Sequence, residues 1–339
     1  MTSNQRQNLE DPLKINGDEA AIEVLQSGLQ TTVQDLGRPG FQTIGVTGGG
    51  AMDRRALRLA NMMVENTPDA GVLEWPVRGP KLYFRDRRVL AVTGAIATGV
   101  PFGRPFVVEA GAVVDLSHVP VGCRGILAVS GGIDVPVVMA SRSTHLGAKF
   151  GGWYGRALRK NDVIPAGPSE VTGVQTGWMV SPALSQLMNG EVPTVRILRG
   201  PEGSAFALSM WNELLEAPFK VRSQSDRMGI WLQGPKLTPK APMEMVSQPM
   251  TAGTIQVPPD GRPIVLMADR QSLGGYPRMA TVIAVDLPVL TQVPPGGKVR
   301  FVETTLAEAE AWRIGEAKNF GMFASAVKER FVRKDSHVD

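Results

Sequence analysis

In AIEVLQSG, Ile22 and Val24 alternate with polar neighbours, the period-two signature of a half-buried strand, so ordered structure is expected to begin there. A second start of the same shape lies at VRILRGP, residues 195–201. Helical periodicity is rare. Over residues 53–65, Leu57, Ala60 and Val64 fall on one stripe, with Asp53 placed as N-cap and Asn66 as C-terminal stop. Near the end of the chain, Thr305 and Glu308 form a capping box that opens LAEAEAWRIGEA. Between these few helices the chain carries 38 glycines and 26 prolines, which predicts many short strands and tight turns. The expected class is mainly β, in sandwich or barrel form.

Landmarks recur in the two halves in the same order. Asp35-Leu36-Gly37-Arg38 returns permuted as Asp226-Arg227-Met228-Gly229. GPKL follows at 79–82 and 234–237, and GRP at 103–105 and 261–263, each GRP preceding an apolar pair. The distance from Asp35 to Gly79 far exceeds that from Asp226 to Gly234, and the excess holds the glycine run Gly48–Gly50 and the helix behind it. This pattern predicts a duplicated β domain with one helical insertion. The expected boundaries are a mobile leader over 1–20, a first β domain over 21–168 with its helical insertion at 51–66, and a linker over 169–193. A second β domain follows over 194–303, then a C-terminal helix and charged, fraying tail over 304–339.

Composition narrows the chemistry. The chain has 339 residues, 43% hydrophobic and 20% charged, with a net charge of +4, which fits a soluble globular protein and argues against a nucleic-acid binder. A single cysteine, Cys123, excludes an intramolecular disulfide framework, and its apolar context predicts a buried, inert thiol. The polar N-terminus lacks a signal-peptide core, so a cytoplasmic location is expected.

The glycine run at 48–50 invites a phosphate loop, but no segment has the Walker spacing, and Asp53 stands where a dinucleotide fingerprint needs its third glycine. His118, His145 and His337 have no paired spacing for a metal, and no Gly-x-Ser-x-Gly elbow is present. What remains is a set of polar residues in glycine-rich turns, among them Gln34, Glu74, Ser141, Ser143, Gln256 and Gln292. Arginine holds carboxylates in a planar fork, carboxylates take protons, and amide groups polarise carbonyls. The inventory suits carbonyl, carboxylate or amide chemistry without a metal. The run itself is read as a bend that admits the insertion and lets backbone pass close to a neighbour or an amide substrate, with Arg54, Arg55 and Arg58 behind it as exposed candidates for a contact between subunits or for plain solvation.

TTVQDLGRPGFQTIGVTGGGAMD, AVSGGIDVPVVMASRST, FGGWYGRAL, SDRMG, GTIQVPPDGRPIVLMADRQSLGGYP and QVPPGGKVRF together resemble the biotin-dependent carboxyltransferase family, from about Ile22 to Phe301. The resemblance implies two tandem cyclophilin-like β-barrel domains. It also implies work within a complex, beside a subunit-B-like sister protein of related fold and possibly an A component. The activity implied is that of the C component in a 5-oxoprolinase-type, ATP-dependent opening of a lactam. The alternatives are a carboxyltransferase half acting on urea or a related amide, and a non-catalytic regulator that binds a subunit-B-like kinase inhibitor. No biotinylation site or ATP-binding region is apparent, so ATP or carboxybiotin is expected to come through partner chains and no cofactor is assigned to this chain. The candidate catalytic residues are Asp35, Asp226, Asp269 and Tyr276, as proton acceptors, arginine-orienting groups or carbonyl partners. Arg38, Arg142, Arg227 and Gln271 are the candidate substrate-binding residues. Three positions depart from the family pattern: Trp231 for an arginine, Leu273 for a threonine, and Asn161 for a glycine.

Overall fold

The structure, a computed structural model, describes residues 21–175, 177–185, 192–243 and 245–333. The expected leader, His337 and the last part of the tail lie outside them.

The first half contributes β1 (Ala21–Gln26), β2 (Thr32–Gln34), α1 (Arg54–Met63), β3 (Val72–Pro76) and β4 (Lys81–Phe84). It continues with β5 (Arg88–Ile96), β6 (Pro105–Val108), β7 (Val113–Asp115), β8 (Val121–Val129) and β9 (Val163–Pro165). These strands form two antiparallel sheets, ordered β7-β4-β1-β9 and β2-β3-β8-β5-β6. The sheets share one core: Ile22, Val24, Leu82 and Phe84 of the first meet Leu73, Trp75, Leu90 and Leu127 of the second.

The second sheet is covered on its other face as well. Val89, Ala91, Ile126 and Ala128 pack against Leu57, Ala60 and Met63 of α1. Burial on both faces is why β5 and β8 read as nearly continuous apolar runs rather than alternating ones. Asp53 caps α1 as expected, accepting a hydrogen bond from the Ala56 N–H at 2.8 Å.

After β10 (Val171–Val174) and the short α2 (Pro182–Ser185), the second half supplies β11 (Thr194–Arg199), α3 (Leu208–Glu216), β12 (Phe219–Val221) and β13 (Gly229–Gln233). It goes on through β14 (Gln248–Pro249), β15 (Thr254–Gln256), β16 (Ile264–Leu266) and β17 (Leu273–Gly274). It ends with β18 (Arg278–Val282), α4 (Leu287–Thr291) and β19 (Lys298–Glu303). Seven of these strands close a barrel in the order β11-β18-β15-β16-β13-β12-β19, sealed by the parallel pair β11–β19. Val195, Ile197, Phe219, Leu232, Val265 and Phe301 fill it, with Trp211 and Leu214 of α3 packed against them. The chain is mainly β with few helices. The ladder closes in the second unit, whereas the first builds its core between two sheets.

Two segments are more ordered than their composition suggests. The stretch read as a linker donates β10, which pairs with β20 (Phe331–Arg333) near the end of the chain. The C-terminal helix, α5 (Leu306–Lys328), opens on the expected capping box but runs far beyond LAEAEAWRIGEA, into the stretch expected to fray. Its Phe320 joins the α1 core, and its Glu316 pairs with Arg55. No described helix is long and apolar enough to cross a membrane.

Candidate functional site

The duplicated turn places an aspartate and an arginine in each half, and the two turns use their aspartates alike. Asp35 Oδ1 accepts from the Gly37 N–H at 2.7 Å, and Asp226 Oδ1 accepts from the Met228 N–H at 2.8 Å. Each carboxylate thus folds its own turn, the common use of aspartate at such positions.

Asp35 does more than close its turn. It is buried and also receives the hydroxyls of Ser141 (2.7 Å) and Ser143 (2.5 Å) and the Arg142 N–H (2.5 Å). It therefore ties the 141–143 loop to the end of β2. Asp226 has one engaged oxygen, which also takes the Gly229 N–H at 3.1 Å. The structure shows Asp226 forming its own turn, away from the buried cluster.

Arg227 points into the junction of the two units and is buried. Its Nε donates to Asp269 Oδ2 at 2.8 Å and its Nη1 to Glu74 Oε1 at 2.5 Å. Its Nη2 reaches the Gly50 carbonyl (2.5 Å), Asp269 Oδ1 (3.1 Å) and Gln34 Oε1 (3.2 Å). Burial alone would lower its pKa, but Asp269 and then Glu74 outweigh that and hold it above the ordinary arginine value. With every guanidinium nitrogen engaged, Arg227 is a clamp between the halves. Expected to bind substrate, Arg227 here has each of those nitrogens on a protein acceptor.

Arg38 is the opposite case. It is fully buried, its Nη2 donates to the Ser143 carbonyl, and its guanidinium lies 4.8 Å from the Phe150 ring centroid. Its Nε and Nη1 are buried without a partner among the described residues. Burial lowers its pKa; Asp35 and Asp269 offset this in part, while the Arg227 charge adds to it.

The glycine run separates these two arginines. Gly49 has φ +59°, and a Cβ there would sit 2.9 Å from Arg38 Nη1 and 3.7 Å from Asp269 Oδ1. A Cβ on Gly37 would meet the Gly48 carbonyl at 2.5 Å, so the run also packs backbone on backbone against the first turn. Its backbone groups are engaged by protein: the Gly48 carbonyl accepts from the Arg38 N–H, the Gly49 N–H donates to the Ala268 carbonyl, and the Gly50 carbonyl accepts from Arg227. This is the close backbone approach expected from the sequence, with an arginine where a phosphate loop would hold phosphate.

Of the eight candidate residues, the structure brings Asp35, Arg38, Arg227 and Asp269 around the glycine run. Arg142 contributes its backbone to Asp35, but its guanidinium pairs with Asp134 at 3.3 Å, where both side chains are well exposed. Gln271 and Tyr276 are exposed on the 271–276 segment around β17, where the Tyr276 carbonyl accepts from Gln256 Nε2 at 3.4 Å. They form an exposed lip and take no part in the buried cluster.

Glu74 is not among those eight, yet it is the second carboxylate on Arg227, after Asp269. Besides Arg227 it accepts the Met52 N–H at 2.7 Å and faces Arg124 Nη1 at 3.6 Å. The available signal is a lone acid inside the apolar strand VLEWP, because a buried charge in such a strand requires a partner.

Other polar candidates prove structural. Gln292 donates to Asp53 Oδ2 (2.8 Å) and the Arg124 carbonyl (2.9 Å), and accepts the Cys123 and Arg124 N–H groups, both at 3.0 Å. It stitches the second unit to the first. Cys123 is buried, and burial pushes its thiol pKa up, in line with its sequence context. Arg55 is buried against Glu316 and the Val285 carbonyl, not exposed as expected.

The three departures from the family pattern find places as well. Trp231 packs on the small apolar cluster of Met250, Ile264 and Leu266, so its ring faces hydrocarbon. Asn161 has φ +69°, a left-handed conformation that glycine adopts freely and asparagine tolerates. Leu273 is exposed in β17.

Comparison with known proteins places this geometry. The carboxyltransferase domain family, subdomain A and B, matches residues 44–303. The C component of 5-oxoprolinase from Escherichia coli is 37% identical over 309 residues, covering 89% of this chain and 97% of that protein. The urea amidolyase of Lachancea kluyveri is 33% identical over 309 residues, covering 83% of this chain but only 17% of that protein. Among solved structures, the urea carboxylase of Kluyveromyces lactis superposes with a TM-score of 0.84 at 29% identity, over 95% of this chain and 31% of its own.

Proposed function

The chain belongs to the carboxyltransferase domain family, subdomain A and B, and from that premise we propose that it is the C component of a 5-oxoprolinase-type complex. In that reading it helps open the lactam of 5-oxoproline to glutamate, with ATP used through partner components related to B and A. One observation carries the choice within the family. The chain matches the E. coli C component over 97% of that protein's length, but the Lachancea urea amidolyase over only 17%. The identity to the C component is also the higher of the two, 37% against 33%.

The geometry supports amide chemistry at the junction. Arg38 Nε and Nη1 are preset donors without acceptors among the described residues, suited to the carbonyl oxygen of a lactam or to a carboxylate. Asp269, locked on Arg227 and beside Gly49, is placed to hold a proton at an amide nitrogen. Gln271 and Tyr276, on the exposed lip, are assigned to the outer edge of the substrate. Because the free nitrogens of Arg38 are sealed from solvent, a substrate reaches them only when the surrounding loops part. Partner docking supplies a reason for them to do so.

The glycine run is a poor seat for ATP. The run lacks the Walker spacing, and its Gly49 N–H, a donor that a phosphate would need, is already bound to the Ala268 carbonyl. The nucleotide is therefore assigned to a partner, and no step on this chain passes through it.

The test is reconstitution with the proteins encoded beside it. With 5-oxoproline and ATP, glutamate should form only when this chain is present, and turnover that persists on its omission would overturn the proposal. The close superposition on a urea carboxylase favours a second reading, transfer of a carboxyl group from a biotin carrier to an amide. Its mark is incorporation of labelled bicarbonate into product.

A further inference from the structure

A cavity of about 600 Å³ lies where α1, the 267–270 segment and α5 meet. Its volume is in the range of small-molecule sites. Its charged lining is lopsided: Arg54, Arg55, Arg58, Arg270 and Arg313 against Glu316 alone. That glutamate is already taken by Arg55, whose Nη1 is nevertheless buried without a partner.

Among the described residues, Arg54, Arg58 and Arg270 have no ion pair. Neutral groups position them instead. Arg270 donates to the Met250 carbonyl at 3.1 Å and the Met267 carbonyl at 3.2 Å, and Arg54 to the Gly49 carbonyl at 3.3 Å. The Arg58 guanidinium lies 5.9 Å from the Phe320 ring centroid.

Holding like charges together without a counterion is costly, and the arginines register it. Partial desolvation by the cavity wall and then the Arg58 charge lower the pKa of Arg54, which keeps access to solvent, with Asp35 offsetting only in part; desolvation and then the Arg54 charge lower that of the half-buried Arg270. A carboxylate needs one planar fork, whereas an oxyanion with several charged oxygens can be met by guanidinium groups from several directions. Here they come from α1, the second barrel and α5. Leu287 and Phe320 add an apolar side to the cavity.

We infer that this cavity is a binding site for a small phosphorylated molecule, whose phosphoryl oxygens supply the charge the protein omits. The inference does not rest on the lactam reading. The cavity borders the junction through Met52, whose N–H binds Glu74, and Ala268, the neighbour of Asp269, so occupancy would be felt by the buried cluster. Its cap, α5, lies beyond the residues matched by the family.

The probe is inorganic pyrophosphate, titrated into the full chain by calorimetry at an ionic strength held constant with sodium chloride. One equivalent should bind. Arg270→Ala and the exposed Arg58→Gln should each weaken binding at least about ten-fold, as expected for loss of a charge-assisted contact. Arg87→Ala, which removes a surface arginine paired with Glu109, should leave binding unchanged. Thermal melts without ligand would verify that each variant is folded. No saturable heat at millimolar pyrophosphate, or equal weakening by Arg87→Ala, would overturn the inference. Equal or tighter binding of succinate, or of a short polyglutamate peptide, would overturn the assigned class of ligand.

Discussion

The turns at 35–38 and 226–229 are built from the same residues, yet their arginines end in opposite states. Arg227 has an acceptor on every guanidinium nitrogen, drawn from both halves of the chain. Arg38, equally deep, is left with two nitrogens unfilled among the described residues. The local chemistry of the turn does not make the difference. Arg227 meets two carboxylates, Glu74 and Asp269, which outweigh the cost of burying it. Arg38 meets a carbonyl and a phenylalanine ring, and its pKa falls. A duplicated motif has thus diverged into a clamp and an unoccupied donor through what surrounds it.

The sharpest way to break that comparison is Arg227→Met. Asp269 would lose its counter-charge and Glu74 would keep only the more distant Arg124, so denaturant unfolding should show a loss of about 3–5 kcal/mol. A loss under about 1 kcal/mol would mean that Arg227 does not clamp the halves. Arg38→Met should show the converse: activity of the assembled complex down about 100-fold, as for loss of one preset donor, with a much smaller change in unfolding. If the two variants lose stability equally, the distinction between clamp and donor fails.

Gly49→Ala sharpens the comparison between the two arginines. It forces a side chain into a left-handed conformation, costing about 1–2 kcal/mol, and presses on Arg38 Nη1 rather than on Arg227. Activity should therefore fall further than stability, read by assay and melt on the same sample. Asp226→Ala removes turn bonds outside the buried cluster and should cost only about 1 kcal/mol with activity retained. A large activity loss would restore Asp226 to the catalytic set.

The smallest effect concerns Asp53, the buried cap of α1. Burial raises its pKa, so the native state holds that proton more tightly than the unfolded chain does. Its contribution to stability is therefore best at low pH, and declines as pH rises from the ordinary carboxylate range through the folded value. Asp53→Asn keeps the cap acceptor but cannot ionise. The stability of the wild type relative to this variant should drop as pH rises through that window, and a difference that grows instead would contradict the assignment.

Much of the fold is legible in the sequence because its signals are local. The alternation at Ile22 and Val24, the stripe on α1, the Thr305–Glu308 capping box and the repeated turns each need only neighbours in sequence, and each appears where expected. The length of α5 and the pairing of β10 with β20 are not legible in this way. The reasons for them, Phe320 against α1, Glu316 against Arg55 and a partner strand far along the chain, are contacts at long range.

Of the junction, the sequence by itself determined the ingredients: two aspartate-folded turns, a glycine run that allows backbone to approach closely, and a family pattern that joins them. It could not decide which arginine would be satisfied, that Glu74 would join the cluster, or that Arg142 and Asp226 would be occupied elsewhere. Whether a buried charge is a clamp or a free donor depends on how many acceptors stand within about 3 Å of it. The fold decides that number by bringing Glu74, Asp269 and the Gly50 carbonyl to Arg227 and none of them to Arg38 Nε and Nη1.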